Sequence, residues 1–433
     1  MFDFRHLYII KNLKIFPILI ASNFSLHKSI DSKIVLYVVA QFIIISSLFS
    51  SIAPDYVNKV NGQVVHQKDV SFIGVDMKGL YTSTIHNNRS SIPFPDNYYN
   101  DSFKLITNAG MNHIRYVLYW QAYENDPISF TGELQTVASL ADKWGLHVIY
   151  DNHQFHTSSW LDPIRGSGFP PSLFSDNASY PYGSGGSPAD PSAFNWWTKW
   201  WNHTITDNKG VDGWNLQIGF LKKVINTVEN HNSTLGYEIL NEPQIHSVDE
   251  WKKIGKYNTF MVNELRKITN KTLVFDTTIP VELHNLKINM TLENMAKLLP
   301  TSKDNVVFKI SLYGIPAAGS YQEQKLNLLA ALTNITRVPL YIGEWNDVSR
   351  EEHINGEGQV DNEINQAVSD LNQTDAYIMT KKFKDIGAWG WAFWNWNYLP
   401  DSTPDFNLIT VNMNGDMETT KYFDILKHVV ANS

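Results

Sequence analysis

Two short apolar strings in the chain each end on or near a glutamate. Residues 237–243 read YEILNEP and carry Glu242, and residues 340–345 read LYIGEW and carry Glu344. A buried sheet tolerates free carboxylates poorly, so an acid at the end of a β-favouring run indicates a cleft. Two acids in one cleft can cleave a glycosidic bond, because one donates a proton while the other attacks the sugar or activates water. The sequence therefore predicts a two-carboxylate hydrolytic site.

The composition argues against several other kinds of chemistry. The chain has 433 residues, a formal net charge of −8 and no cysteine. Nucleic-acid binders need basic faces, so an acidic chain argues against a nucleic-acid partner. Without cysteine, neither disulfides nor thiolate catalysis is available. With 43 % hydrophobic residues the chain can build a large core, and single barrel domains commonly run past about 250 residues.

The N-terminal region predicts export. Residues 34–53 form 20 positions without a charge, which is long enough to cross a bilayer as a helix. Lys28 and Lys33 precede this segment, as expected when the N-terminus is cytoplasmic. A cleavable signal peptide is the competing interpretation, although Pro54 would hinder cleavage at the end of the segment.

Glycosylation sequons agree with export. Ten Asn-x-Ser/Thr sequons occur, and such sites are modified on exposed loops of exported proteins. They begin at Asn23, Asn88, Asn100, Asn177, Asn202, Asn232, Asn270, Asn289, Asn334 and Asn372. We therefore predict that residues 1–53 are a cytoplasmic leader plus a signal peptide or membrane anchor. Residues 54–433 would then be a catalytic domain that is secreted, or extracytoplasmic and membrane-anchored.

Eight β-like runs follow the apolar segment, and most are separated by stretches with helical periodicity. Strand and helix alternating eight times predict an α/β (β/α)8 barrel, the TIM barrel fold. An open doubly wound sheet is the alternative, but no glycine-rich phosphate turn follows the first run. The runs are 70–76, 112–119, 146–151, 235–241, 272–278, 305–313, 338–343 and 387–394.

The longest interruption, residues 155–214, lies between the third and fourth runs. In a barrel it would be an enlarged loop over the active face. Four tryptophans in it are spaced as on a helix, which argues against disorder. They either pack the loop down or contact sugars, and we expect sugar contact for at least one of them. The four are Trp196, Trp197, Trp200 and Trp201.

Polar or aromatic residues come at the same end of six runs, where a barrel keeps its chemistry. They are Arg115, Asp151 with His153, Asn241 with Glu242, Tyr313, Glu344 and Trp394.

On these motifs the chain resembles glycoside hydrolase family 5, the cellulase-type family of retaining (β/α)8 glycosidases. The Asn-Glu-Pro string at 241–243 is the most specific match, and Gly-Glu at 343–344 is the second. Supporting matches are HIRYV at 113–117, Asp-Asn-His at 151–153 and the tryptophan-rich eighth run. An Asn-Gly-Asp turn at 414–416 before a last helix also fits. The similarity covers residues 70 to 430.

The resemblance implies a role for each matched residue. Glu242 would be the acid/base and Glu344 the nucleophile. Asn241 would hydrogen-bond the sugar 2-hydroxyl, and His153 would line the subsite beside the scissile bond. Three further residues would complete the site: Tyr313 holding the nucleophile, Arg115 keeping it ionised, and Trp394 stacking under the sugar. The acid/base needs a raised pKa, whereas the nucleophile must stay charged; a retaining pair lies roughly 5–5.5 Å apart.

The chain departs from the family at the sixth strand. The family usually has His-x-Tyr there, and this chain has Ser311 two residues before Tyr313. Glu238 shares strand parity with Glu242 but lies deeper, so we expect a paired acid in the barrel interior. His153 and His156 near Asp151 lack a third ligand, so we expect no metal. No cofactor is expected, because carboxylates perform both proton transfer and nucleophilic attack.

Together these observations predict an exported retaining endo-β-glycosidase that acts on a β-linked polysaccharide or oligosaccharide. An endo-β-1,4-glucanase is the first choice. A β-mannanase is an alternative, and a glycolipid or surface-glycan glycosidase is another if residues 34–53 attach the chain to a membrane. A catalytically weak carbohydrate-binding protein is the rival from a different class. The oligomeric state is not predicted.

Overall fold

The computed structural model describes residues 57–60, 63–66, 70–85, 97–276 except 177 and 248, 291–346, 374–396, and 407–432 except 413 and 415. Residues 34–53, on which the export prediction rests, lie outside this part, and so does the division at residue 53. Among the helices that the structure describes, none is both long enough and apolar enough to span a membrane.

Eight parallel strands close into a barrel, which confirms the predicted (β/α)8 fold. Each strand pairs with the next in chain order, and the last, β10, pairs with both β9 and the first, β3. The barrel strands are β3 (Phe72–Lys78), β4 (His113–Leu118), β5 (His147–Asn152), β6 (Thr234–Glu238), β7 (Thr272–Asp276), β8 (Val306–Tyr313), β9 (Leu340–Asn346) and β10 (Gly390–Phe393). Each overlaps a predicted run.

Two short antiparallel hairpins accompany the barrel. One consists of β1 (Val57–Val60) and β2 (Gln63–His66), and the other of β11 (Ile409–Val411) and β12 (Met417–Thr419). The Asn412 side chain accepts hydrogen bonds from two backbone amides within the second turn, which is where the sequence predicted a turn before the last helix.

Helices occupy every interval between the barrel strands. Side-chain caps fix several of their starts: Asp126, Asp212 and Ser320 each accept a hydrogen bond from a first-turn amide. The helices are α1 (Tyr98–Asn108), α2 (Trp120–Asn125), α3 (Pro127–Trp144), α4 (Pro191–Trp201), α5 (Gly213–Val228), α6 (Glu250–Leu265), α7 (Leu292–Ala296), α8 (Tyr321–Thr336), α9 (Asp375–Asp385) and α10 (Lys421–Asn432).

The fourth barrel strand ends earlier than its sequence predicts. The prediction ran to residue 241, but β6 stops at Glu238. The backbone amide of Glu242 donates to the Asp276 carboxylate at 2.6 Å, and Glu242 has a φ of 41°. A side chain therefore replaces a neighbouring strand as the partner of this amide, and the chain turns there.

The lower part of the barrel interior is filled by apolar side chains, which we call the floor. A compact cluster of buried residues fills it, and Phe72 packs on Trp389 with ring centroids 4.5 Å apart. The floor residues are Phe72, Ile149, Leu235, Val274, Val307, Tyr341, Trp389 and Ala392.

The long connection between β5 and α5 is ordered by its tryptophans. It contains the turn Pro171–Phe174 and helix α4. Trp196, Trp197, Trp200 and Trp201 are all buried, with at most 2 % of each side chain exposed. The indole of Trp201 donates to the Gln244 carbonyl oxygen. The expectation that one of the four contacts sugar is therefore wrong, because packing against Phe169 of the same connection and Tyr257 of α6 leaves them no exposed face.

Candidate active site

Above the floor lies a set of buried ionisable side chains, which we call the charged layer. Arg115 is at its centre, at the middle of β4 and fully buried. Its guanidinium contacts four carboxylates at 2.7–2.9 Å. Both oxygens of Glu238 accept from it, so the predicted pairing of this interior acid is correct. The layer consists of Asp76, Arg115, Asp151, Glu238, Asp276, Lys309 and Glu344.

Glu344 lies in β9 and is held by three donors. One oxygen accepts from Arg115 at 2.9 Å and from Lys309 at 3.3 Å, and the other accepts from the Tyr313 hydroxyl at 2.8 Å. Burial opposes ionisation of this carboxyl, but the charges of Lys309 and Arg115 outweigh burial. They hold the pKa of Glu344 well below its ordinary value. Glu344 is therefore a carboxylate at neutral pH.

Glu242 follows β6 in the turn with positive φ. Its backbone amide is fixed by Asp276, and its carbonyl oxygen accepts from the Gln154 side chain at 2.7 Å. Burial and then the negative charge of Glu344 raise the pKa of its carboxyl. The two glutamates at the strand ends thus have pKa values displaced in opposite directions.

Asn241 joins the charged layer to the wall of the cleft. Its side-chain oxygen accepts from Arg115 at 2.9 Å and from Lys309 at 2.7 Å. Two cationic donors therefore fix the amide with its oxygen inward. The amide nitrogen donates to the Gln154 carbonyl oxygen at 3.2 Å and lies 3.4 Å from Nε2 of His153.

The wall of the cleft is aromatic. His153 bonds Asp151 through Nδ1 at 2.8 Å and stacks on Trp394, with ring centroids 5.6 Å apart and planes at 15°. The ammonium group of Lys78 lies 5.6 Å from the Trp394 ring centroid and 5.7 Å from that of Tyr119. A flat ring beside polar side chains is suited to the face and hydroxyls of a sugar.

The structure brings all seven predicted site residues into one connected group. Contacts or charges link Arg115, His153, Asn241, Glu242, Tyr313, Glu344 and Trp394. In the part of the chain that the structure describes, no group of three or more His, Asp or Glu side chains could hold a metal ion.

Sequence reasoning missed three polar residues of the site. Lys309, Asp276 and Lys78 are buried on barrel strands and touch or face the predicted residues. The sequence did contain a signal for Lys309, because it precedes Ser311 and Tyr313 by two and four positions. Alternate residues of a strand share one face, so the predicted Tyr313 implies an inward lysine.

Comparisons with known proteins agree with this geometry. A family model described as Cellulase (glycosyl hydrolase family 5) matches residues 73–399. No curated protein matches the chain. A solved endogalactoceramidase is 15 % identical over 88 % of this chain and 84 % of its own, with a TM-score of 0.63.

Endo-glycoceramidase II from Rhodococcus sp. is a second structural relative. With a cellobiose-like imidazole bound, it is 14 % identical over 86 % of this chain and 81 % of its own, with a TM-score of 0.59. The same protein is known as a ganglioside GM3 complex, 14 % identical over 87 % and 81 %, with a TM-score of 0.57. At these identities the solved structures show a shared fold.

Proposed function

The chain belongs to glycosyl hydrolase family 5, and from that premise we propose that it is a retaining endo-β-glycosidase with Glu242 as acid/base and Glu344 as nucleophile. The observation that carries the proposal is the opposite displacement of the two pKa values. A double displacement needs one carboxyl that keeps a proton and one that has lost it.

The first step forms a covalent intermediate. The Glu242 proton passes to the glycosidic oxygen as the bond from that oxygen to C1 breaks. A Glu344 oxygen attacks C1 and becomes an ester, while the protonated leaving group departs. The hydroxyl of Tyr313 and the guanidinium of Arg115 hold the attacking carboxylate in one orientation before the reaction.

The second step reverses the proton's path. Glu242, now a carboxylate, takes a proton from water as the water oxygen attacks C1 and the ester bond breaks. In the intermediate Glu344 is a neutral ester, so the negative charge that raised the pKa of Glu242 is gone. The loss of that charge lowers the pKa of Glu242, and the same group can then act as a base.

Asn241 supports the sugar beside the pair. Because Arg115 and Lys309 bond its side-chain oxygen, its amide nitrogen is the group that can donate to a sugar hydroxyl. His153 and Trp394 would line the same subsite, with the indole under the ring.

For the substrate we propose a β-1,4-glucan first, because the matching family model is named Cellulase. The assay is reducing-sugar release from carboxymethyl cellulose, mixed-linkage glucan and mannan, with Glu344→Gln as the control. Release that disappears in the variant supports both mechanism and substrate class. If no polymer releases reducing sugar, β-1,4-glucan is rejected as the substrate.

A glycolipid is the second candidate. Two structural relatives are named for cleaving ceramide glycosides, and exposed apolar residues of the described chain concentrate in the connection between β5 and α5. Of seven such residues, five lie there: Phe155, Ile164, Tyr182, Phe194 and Val211. An acyl chain would find apolar contacts on this connection. Release of free ceramide from a detergent-dispersed β-glycosylceramide, absent with Glu344→Gln, would select this substrate over glucan.

Export remains part of the proposal. Four sequons of the described chain have exposed asparagines, and these are Asn202, Asn232, Asn270 and Asn334. Expression of residues 1–433 in a secreting eukaryotic host should give a protein whose mass falls on treatment with peptide N-glycosidase. N-terminal sequencing then separates a signal peptide from an anchor. An unglycosylated product that stays in the cytosol would overturn export.

A further inference from the structure

Lys309 contacts several residues of the site at once. Its ammonium group, fully buried on β8, donates to Asn241 at 2.7 Å, to Asp276 at 2.9 Å and to Ser311 at 2.9 Å. A fourth contact reaches Glu344 at 3.3 Å. One cation thus contacts Asn241, which precedes the acid/base in the chain, and Asp276, which fixes the acid/base amide. It also contacts the nucleophile, Glu344.

Burial of this ammonium group is energetically unfavourable. Moving a charge out of water costs several kcal/mol even after relaxation, and one ion pair rarely returns more than that. If Lys309 only stabilised the barrel, its pair with Asp276 would suffice, and an apolar side chain of similar volume would do as well. Beyond that pair, the ammonium group contacts the proposed nucleophile Glu344 and reaches Asn241 and Ser311 beside the proposed acid/base. A longer ion pair of 3.8 Å joins it to Glu238.

Ser311 connects Lys309 to the acid/base. Its hydroxyl oxygen accepts from the ammonium group, and its hydrogen is donated to the Glu242 carboxyl. This serine stands where the family usually has a histidine. Lys309, two residues earlier on the same strand face, places its ammonium group 2.9 Å from the Ser311 hydroxyl.

We propose that Lys309 is a positioning residue for this reaction, supporting the nucleophile directly and the acid/base through Ser311, in place of the missing imidazole. The inference rests on the proposed function of the two glutamates. In this interpretation the chain orders its site with Lys309 and Ser311 instead of the usual histidine, and it keeps its activity.

Removing the ammonium group should shift the pH dependence in a known direction. A cation beside Glu344 favours its charged form, so Lys309→Met raises the pKa of the nucleophile. The acidic limb of kcat/KM, where the nucleophile gains its proton, then moves to higher pH. The other ionisable groups facing this site are the same in the variant and the wild type. They are Lys78 and Asp76 on β3, Arg115 on β4, Asp151 and His153 at β5, Glu238 and Glu242 at β6, Asp276 on β7, Tyr313 on β8 and Lys325 on α8.

The experiment compares Lys309→Met with Lys223→Met, a control that removes one exposed lysine from α5. With an aryl β-glycoside, Lys309→Met should lower kcat on the order of 10²-fold, the cost of a misplaced reacting group. Its acidic limb should rise by about one pH unit or more. The control should match the wild type. An unchanged acidic limb in folded Lys309→Met overturns the inference, because lost structure alone would reduce active enzyme without moving the limb.

A second variant covers the case in which Lys309→Met fails to fold. Lys309→Met with Asp276→Asn removes both charges of the pair and keeps an oxygen for the Glu242 amide. If this double variant retains the wild-type acidic limb, Lys309 is only structural.

A third readout does not require turnover. Carbon-13 NMR titration of labelled glutamate carboxyls, with Glu344→Gln identifying the signal, measures the pKa of Glu344 directly. A higher pKa in Lys309→Met supports the inference even if no tested glycoside is cleaved, which separates its failure from failure of the proposed function.

Discussion

The floor and the charged layer of the barrel are equally buried but chemically opposite. On β5, β7 and β8, a floor residue and a charged residue are two positions apart, about 6.6 Å along the strand. The pairs are Ile149 with Asp151, Val274 with Asp276, and Val307 with Lys309, and none of these side chains is more than 3 % exposed. Side chains of both layers are therefore removed from water by the same strands.

The two layers differ in what burial does. Each apolar side chain in the floor gains about 1.5–3 kcal/mol when it leaves water. Each charged side chain in the charged layer loses its hydration on burial, and only its ion-pair and hydrogen-bond partners compensate for that loss. The floor therefore stabilises the barrel, whereas in the proposed mechanism the charged layer sets the charge and position of the two glutamates. Substitutions in the floor should therefore mainly lower the free energy of unfolding, and substitutions in the charged layer should mainly lower activity.

The largest separation should come from Glu344→Gln. Loss of the nucleophile should lower kcat on an aryl β-glycoside on the order of 10⁴-fold or more. The free energy of unfolding should fall much less than in a floor truncation. Ionised Glu344 contributes some stability at neutral pH, because Lys309 and Arg115 hold its pKa low, but Arg115 keeps three carboxylate partners in the variant. Steady-state kinetics and urea unfolding measure the two quantities.

Glu238→Gln is the matched control for that prediction. It removes another carboxylate from the same layer, one that bonds Arg115 and lies fully buried. Its loss of activity should be much smaller than that of Glu344→Gln. Equal losses in the two variants would mean that Glu344 acts through the layer rather than as the nucleophile.

Phe72→Ala should show the opposite behaviour. Phe72 packs in the floor against Trp389 and His147, with ring centroids 4.5 and 5.3 Å apart. Truncation leaves a cavity and should lower the free energy of unfolding by about 3–5 kcal/mol. Activity per folded molecule should be nearly unchanged, because Phe72 touches no residue of the charged layer in the described contacts.

Urea unfolding and active-site titration of Phe72→Ala check both halves of this expectation. Phe72→Leu fills most of the cavity and should lose less stability. If Phe72→Ala instead folds normally but loses activity, the floor and the charged layer are not independent.

The floor was easier to anticipate from sequence than the charged layer. Apolar runs that alternate with helical stretches predicted all eight strands, since burial on both faces demands apolar residues throughout. The strand ends predicted Arg115 and Tyr313 in the cleft. Lys309 lies inside a run rather than at its end, so only its alternation with Tyr313 marked it as inward, and a lysine inside a run more often lies on an exposed edge.

Two further features depended on geometry that a linear pattern does not carry. The pairing of β8 with β9 shifts register just before Ser311 and Glu344, and such a bulge changes which residues face inward. The tryptophans of α4 are buried by the rest of their connection. Helical spacing alone could not distinguish that packing from a sugar-binding surface.

The smallest expected effect is a difference between the two layers in how the free energy of unfolding depends on pH. In the floor region, His113 of β4 bonds the Tyr341 hydroxyl through Nε2 at 2.6 Å, and burial lowers its pKa to about 3. A depressed folded-state pKa contributes stability that is present above the unfolded value of about 6.5 and is lost as pH falls toward 3. In the charged layer, burial raises the pKa of Asp151 to about 7. That contribution is present below about pH 4 and is lost as pH rises toward 7.

The two contributions therefore oppose each other between about pH 4 and 6.5, and single variants should expose them. His113→Gln removes the proton uptake on unfolding, so its unfolding free energy should fall less steeply with acid than that of the wild type, by at most about 1.4 kcal/mol per pH unit. Asp151→Asn should change the slope in the other direction. Urea unfolding at half-unit pH intervals measures both slopes. Parallel curves for His113→Gln and the wild type would show that His113 is protonated in the folded barrel, and the floor would then tolerate a charge that its apolar packing should exclude.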